Sequence, residues 1–400
     1  MLNQLNETLQ QKWQAHGFNE PTAIQEALFE PMTQGESLIA HSPTGTGKTL
    51  AYLLPIIQQT EANKQLQAIV LAPSQELAKQ IFDVAVDWTA NTDLTVQLII
   101  GGANVKRQID DLKDKPEIII ATPGRLLEVM NQSRKLKVHT VERIVFDEAD
   151  YLVINNETGA LEPVIRDLTK RLMRDVNYLF ISATQSDDLD KVAKRIKEDI
   201  STVEVEKTEN QTTHIYLEVT NRRKDDTLRQ LAHLEGMYGM IFFEQIAQIE
   251  QVAAKLLYNG IPVSVLHGDL GKLERQNAIR AFREGKTVYL LTTDMASRGI
   301  DIPNVSCVIH YNRVVNLDTY THRSGRTGRM GTVGLVISLV NQQEFLDLNN
   351  ILGSNYTLEK FTLYEGMLMP EQMAEEAQTV NRQSSKRPRK KNQRKNRSRK

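Results

Sequence analysis

Ser42-Pro43-Thr44-Gly45-Thr46-Gly47-Lys48-Thr49 lies between the apolar run Leu38-Ile39-Ala40 and the helical stretch Leu50 to Gln59. A strand, a glycine-rich turn and a helix, in that order, present backbone N–H groups at a helix N-terminus, where they cradle phosphate. In that setting Lys48 reaches the β- and γ-phosphates of a nucleotide and the Thr49 hydroxyl binds Mg²⁺. Ser42 stands where such a loop usually begins with glycine. A nucleotide site of this kind needs a carboxylate at the end of another strand. Ile144-Val145-Phe146-Asp147-Glu148 supplies two. Asp147 is expected to hold Mg²⁺ through water and Glu148 to polarise the attacking water.

The chain around these motifs alternates short apolar strands with amphipathic helices. Leu38–Ala40, Ala68–Ala72, Val96–Ile100, Glu117–Ala121, Arg143–Phe146 and Tyr178–Ser182 are near-continuous apolar runs, as in parallel sheets covered on both faces. Repeated βα units of this kind predict an α/β fold with an open sheet. The rhythm weakens over Val205 to Thr213. It restarts with strands at Ile215–Val219, Met240–Phe243, Val263–Leu266, Val288–Thr292, Val308–Tyr311 and Leu335–Leu339. The expected organisation is a first domain over 1–205, a linker over 206–213 and a second domain over 214–352. An extension over 353–380 reads as mixed and weakly helical and carries no assignment, and a basic tail spans 381–400.

The second domain has no phosphate loop. Glu244-Gln245-Ile246 follows its Met240–Phe243 strand, without glycine or lysine. It does carry His322-Arg323-Ser324-Gly325-Arg326-Thr327-Gly328-Arg329, whose guanidinium groups, spaced three apart, suit the charge that spreads over a γ-phosphate. The nucleotide is therefore expected between the domains, with arginine fingers supplied when the cleft closes. For Arg323 an RNA-backbone contact and a purely structural role both stay open.

Composition bounds these readings. Of 400 residues, 25% are charged and 40% hydrophobic, which excludes collagen-like, mucin-like and wholly disordered chains. No apolar run approaches the roughly 18 residues of a membrane span. Met1 to Trp13 lacks the apolar stretch of a secretory signal. The lone cysteine, Cys307, sits in an apolar strand and reads as core. The net charge of −1 conceals an asymmetry: residues 381–400 hold eleven Lys or Arg and no acids, leaving 38 basic and 50 acidic residues before them, a net of −12. The tail has no apolar residues with which to fold, and its charge suits nucleic acid.

Asp147-Glu148-Ala149-Asp150 resembles the signature of the DEAD-box RNA helicases, and further motifs of that family stand in its order across about 18–340. They include Gly17 to Gln25, Ala72 to Ala78, Gly101-Gly102, Thr122-Pro123-Gly124-Arg125, Ser182-Ala183-Thr184, His267-Gly268-Asp269, Thr293-Asp294 with Ser297 to Asp301, and His322 to Arg329. The resemblance implies two tandem RecA-like domains, with ATP and Mg²⁺ as cofactors and RNA as partner. It implies that Gln25 reads adenine, Phe18 stacks on the base, residues Ser42 to Thr49 wrap the phosphates and Asp301 touches the ribose. It further implies that Asp150, Ser182, Thr184 and His322 couple hydrolysis to strand separation, with Arg326 and Arg329 as fingers. RNA would be gripped through its backbone by Pro73, Gly102, Thr122 and Arg125 on one domain and Gly268, Arg275 and Thr293 on the other. Compact bacterial members imply a cytoplasmic monomer that acts on ribosomal or other RNA–protein complexes.

Two positions depart from the family pattern. Gln75 stands where arginine is usual, with Lys79 one helical turn later as the candidate replacement, and Lys272 stands where glutamine is usual. The resulting expectation is an RNA-stimulated ATPase that unwinds short duplexes. An ATP-gated RNA clamp, a non-enzymatic RNA chaperone and a DNA translocase are its rivals.

Overall fold

The computed structural model describes residues 1–43, 45–154, 161–173, 175–205, 212–297, 302, 305–328 and 332–377. Thr44, Asp301, Arg329, linker residues 206–211 and the tail 381–400 lie outside the described residues.

Seven strands form the first sheet: β1 (Leu38–His41), β2 (Ala68–Leu71), β3 (Val96–Ile99), β4 (Ile118–Ala121), β5 (Arg143–Asp147), β6 (Asn177–Ser182) and β7 (Ser201–Glu204). Their spatial order is β3-β4-β2-β5-β6-β1-β7, and every pairing is parallel. Helices cover both faces, so successive side chains enter different cores. Ala68, Val70, Ile118 and Ile120 pack on one side, and Ile69, Leu71, Ile119 and Ala121 on the other. That is why these strands read as unbroken apolar runs.

The second sheet contains β8 (Thr212–Glu218), β9 (Gly239–Phe243), β10 (Val263–Leu266), β11 (Tyr289–Thr293), β12 (Cys307–His310), β13 (Gly334–Val340), β14 (Glu359–Tyr364) and β15 (Met367–Pro370). Its order is β10-β11-β9-β12-β13-β8-β14-β15, parallel except for the last pair. Thr212 and Thr213 already belong to β8. Residues 359–370, which read as weakly helical in the sequence, instead form a hairpin that extends this sheet beside β8, where pairing with a formed sheet edge overrides weak local propensity. Cys307 is buried in β12, as its apolar neighbours suggest, and burial pushes its thiol pKa well up.

Strand order positions the chemistry. In the first sheet β5, β6 and β1 are neighbours, so their carboxyl ends bring Asp147, Ser182 and the turn after His41 side by side. Ligands of open α/β sheets bind at these ends. The carboxyl ends of β3, β4 and β2 form a second, adjacent row, which leads into Gly101-Gly102, Thr122 and Pro73.

Candidate functional site

The turn after β1 leads into the helix Lys48–Gln59. Gly47 precedes it at φ +85°, a conformation that favours glycine, and a Cβ there would stand 2.6 Å from Gln25 Nε2 and push that side chain aside. Inside the turn, the Ser42 and Thr46 hydroxyls lie 2.7 Å apart and Lys48 Nζ donates to the Ser42 carbonyl at 3.1 Å. Pro43, Gly45 and Thr49 are partly buried around it.

Gln25 is fixed by its own helix start. Its Oε1 accepts from the Thr22 backbone N–H at 2.9 Å in a capping box, and its Nε2 donates to the Gly47 carbonyl at 3.3 Å. Phe18, 37% exposed, is the outermost ring of an aromatic group. It meets Trp13 edge-on at 5.1 Å and lies nearly parallel to His16 at 5.5 Å and Trp88 at 6.5 Å. His16 and Lys12 both pair with Asp87, which fixes this corner.

Asp147, at the end of β5, is buried. Burial pushes its carboxyl up to about 6, with the Lys48 charge opposing and the Glu148 charge adding. The Tyr52 hydroxyl donates to its Oδ2 at 2.8 Å, and the Glu148 N–H to its Oδ1 at 2.9 Å. Tyr52 is a site residue that the sequence reading misses; its signal is the spacing of four after Lys48, which puts both side chains on one helix face. Glu148 has φ +48° without being glycine, a conformation that costs about 1–2 kcal/mol and is held by the tertiary structure. Burial lowers the Lys48 amine below the usual lysine value; the attraction of Asp147, Asp150 and Glu148 opposes this, and Arg326 adds to it. Arg326 comes from the second sheet's lobe and is itself buried.

The two lobes also meet at Asp150. Thr184 Oγ1 donates to its Oδ2 at 2.8 Å, and His322 Nε2, from the opposite lobe, approaches the same oxygen at 3.1 Å. Burial by itself would raise this carboxyl; hydrogen bonds from His322 and Thr184 hold it far below the usual range. The Ser182 hydroxyl donates to the Thr184 carbonyl at 2.7 Å and accepts from its N–H. The four expected coupling residues thus form one connected set. Arg323 does not join it. Buried at 3% exposure, it grips Asp294 with two nitrogens at 2.6 and 2.7 Å.

Pro73, Gly102 and Thr122 flank the starts of helices or turns on the second row of strand ends. Ser74 caps the helix after Pro73, accepting from Leu77 N–H. Gly102 has φ +69°, and Thr122 is the N-cap of the helix Pro123–Gln132. Arg125 Nη1 donates to the Ala103 carbonyl at 2.7 Å and to Gln108 Oε1 at 3.1 Å. Across the cleft, Gly268 is exposed after β10, Thr293 ends β11, and Arg275 donates to the His267 carbonyl at 3.2 Å. Arg275 also pairs with Glu76 of the first lobe at 2.7 Å. Gln75 lies against Gly101 and Gly102. Lys79 is paired with Asp83 and lies over the Phe82 ring, so its charge is engaged on its own helix.

Comparison with known proteins agrees with this geometry. Residues 22–192 match the family described as DEAD/DEAH box helicase, and residues 223–331 match the helicase conserved C-terminal domain. The probable ATP-dependent RNA helicase YfmL of Bacillus subtilis is 41% identical over 84% of this chain and 89% of its own length. The DEAD-box ATP-dependent RNA helicase CshC of Bacillus cereus is 40% identical over 86% and 88%. Among solved structures, S. cerevisiae Dbp5 bound to RNA and ADP BeF3 superposes with a TM-score of 0.81 at 29% identity, covering 95% of this chain and 97% of that one.

Proposed function

The chain belongs to the DEAD-box family of ATP-dependent RNA helicases, and on that premise we propose how its own residues divide the work of separating short RNA duplexes or remodelling RNA–protein complexes. One observation carries the reading. His322, on the arginine-bearing segment of the second lobe, reaches Asp150 at 3.1 Å, three residues beyond Asp147, which brings that segment to the strand ends that carry the phosphate turn.

Phe18 stacks on adenine and Gln25 reads its edge. Residues 42–49 wrap the phosphates, with Lys48 on the β- and γ-groups, and Asp301 contacts the ribose. Glu148 orients the attacking water, and Arg326 and Arg329 balance the charge that develops on the γ-phosphate. The donor set fits Mg²⁺: Asp147 is a buried carboxylate beside a second acid, with Lys48 as its opposing charge. Thr49 and, through water, Asp147 would hold the ion. Mg²⁺ keeps several waters and needs only one or two protein carboxylates. When bound, the ion neutralises phosphate charge.

Asp150, Ser182, Thr184 and His322 register whether the lobes are closed. RNA lies across Pro73, Gly102, Thr122 and Arg125 and, on the other lobe, Gly268, Arg275 and Thr293, held by its backbone and so without sequence preference. ATP and RNA favour the same closed state, and each therefore strengthens the other's binding. We place the protein in the cytoplasm, as a monomer working on ribosomal or other RNA–protein complexes. No helix among the described residues is long and apolar enough to cross a membrane.

A duplex-release assay with a short, weak RNA duplex tests this reading. ATP-dependent release supports it; hydrolysis and tight binding without release would favour an ATP-gated clamp.

Base selectivity offers a second check. Gln25→Ala should narrow the preference for ATP over GTP by up to about tenfold, the worth of one good hydrogen bond. Equal use of the two nucleotides by the parent protein would remove Gln25 from the base-reading role.

Removing residues 381–400 should raise the RNA concentration needed for half-maximal ATPase activity and flatten its salt dependence, by roughly 0.7 in log–log slope for each phosphate that the tail neutralises. The rate at saturating RNA should stay unchanged, since no group of the ATP site is removed. An unchanged RNA requirement at low salt would make the tail irrelevant to RNA capture.

A further inference from the structure

Gln108 is a polar side chain only 7% exposed, on the helix Val105–Asp111, and none of the chemistry above uses it. Its amide bridges two separate loops. Nε2 donates to the Ile100 carbonyl at 3.0 Å, immediately before Gly101-Gly102. Oε1 accepts from Arg125 Nη1 at 3.1 Å. The backbone carbonyl of Gln108 in turn accepts from Gln97 Nε2 of β3 at 2.8 Å, so the bridge is anchored to the sheet.

Arg125 is correspondingly constrained. Nη1 also donates to the Ala103 carbonyl at 2.7 Å, just after the glycine pair, and Nε pairs with Glu128 at 2.9 Å. A guanidinium has five N–H donors in a rigid plane. Two are taken by Ala103 and Gln108, Nε lies in an ion pair with Glu128, and Nη2 makes no hydrogen bond to the described residues. An arginine fixed in this way loses less rotamer freedom when it takes an anion than one that must first be ordered.

We propose that Gln108 is a positioning residue for RNA: it locks Arg125 with Nη2 available to a backbone phosphate, and ties that arginine to the Gly101-Gly102 turn so that both loops grip one strand as a unit. The proposal rests on the reading of Arg125 and Gly102 as RNA-backbone contacts.

Steady-state ATPase assays of the full-length chain, titrated with single-stranded RNA, test it. Gln108→Leu should raise the half-saturating RNA concentration about tenfold, while KM for ATP and the rate at saturating RNA stay within about twofold. Gln108→Glu, which keeps the acceptor for Arg125 but loses the donor to the Ile100 carbonyl, should recover only the part of that loss that comes through Arg125. In an Arg125→Ala background Gln108→Leu should add almost nothing, because two residues acting through one contact are not additive. If the leucine variant does not fold, Gln108→Asn, whose amide is one methylene short of both partners, should give the same rise in RNA requirement with thermal melting near that of the parent. An unchanged RNA requirement in the variants, or a full Gln108 effect persisting without Arg125, overturns the proposal. So does a fall of the saturated rate in step with RNA affinity. If Arg125→Ala itself leaves the RNA requirement unchanged, the RNA-contact reading of Arg125 fails, and the role of Gln108 fails with it.

Discussion

Replacing Glu148 by glutamine should leave ATP and RNA bound while slowing hydrolysis by about 10²–10⁴, the usual contribution of a positioned general base. The amide keeps the size of the side chain but accepts no proton. Glu148 follows Asp147 directly and holds a left-handed backbone conformation that few non-glycine residues adopt, so its placement is imposed by the fold. The variant should accumulate in the closed, ATP-bound state, seen as slow release of RNA. Lys48→Ala should behave differently and weaken nucleotide binding itself, since its ammonium meets the phosphates before any chemistry. Single-turnover hydrolysis of labelled ATP separates the two. A Glu148→Gln protein that hydrolyses at the parental rate would place the base elsewhere.

Arg326→Ala should lower RNA-stimulated hydrolysis by about 10³ or more, the lower end of what an arginine finger contributes. Nucleotide binding should change little, because the phosphate turn and its lysine belong entirely to the first lobe. The distinction is measurable as a loss in kcat with an unchanged affinity for a fluorescent ATP analogue. Arg326 is buried, two residues after the helix that carries His322, which itself reaches Asp150 of the first lobe at 3.1 Å. Loss of binding together with rate would instead mean that Arg326 supports the ground state.

The nucleotide half of the site was legible because its parts are contiguous in the chain. A strand, a glycine turn and Lys48-Thr49 carry their geometry in their own backbone, and Asp147-Glu148 sits at the end of a recognisable apolar strand. The alternation of strands and helices likewise exposed an α/β architecture, since burial on both faces leaves unbroken apolar runs. The extension after residue 352 resisted reading for the opposite reason. β14 and β15 lie at a sheet edge and are partly exposed along most of their length, so neither alternation nor an apolar run marks them.

Sequence alone thus exposed the alternation of strands and helices and the residues proposed to bind phosphate and activate water, while β7, β14 and β15 went unread. Tertiary structure decided what each side chain meets. Tyr52 reaches Asp147 across 95 positions, His322 reaches Asp150 across 172, and Arg275 reaches Glu76 across 199. It also resolved Arg323 as a buried partner of Asp294, tied Lys79 to Asp83 and joined two loops through Gln108. The physical reason is one of range. Local propensity and side-chain periodicity act over a few residues and specify elements, whereas strand order and lobe closure bring distant charges within hydrogen-bonding distance, and only there do their burial and mutual fields set what they do.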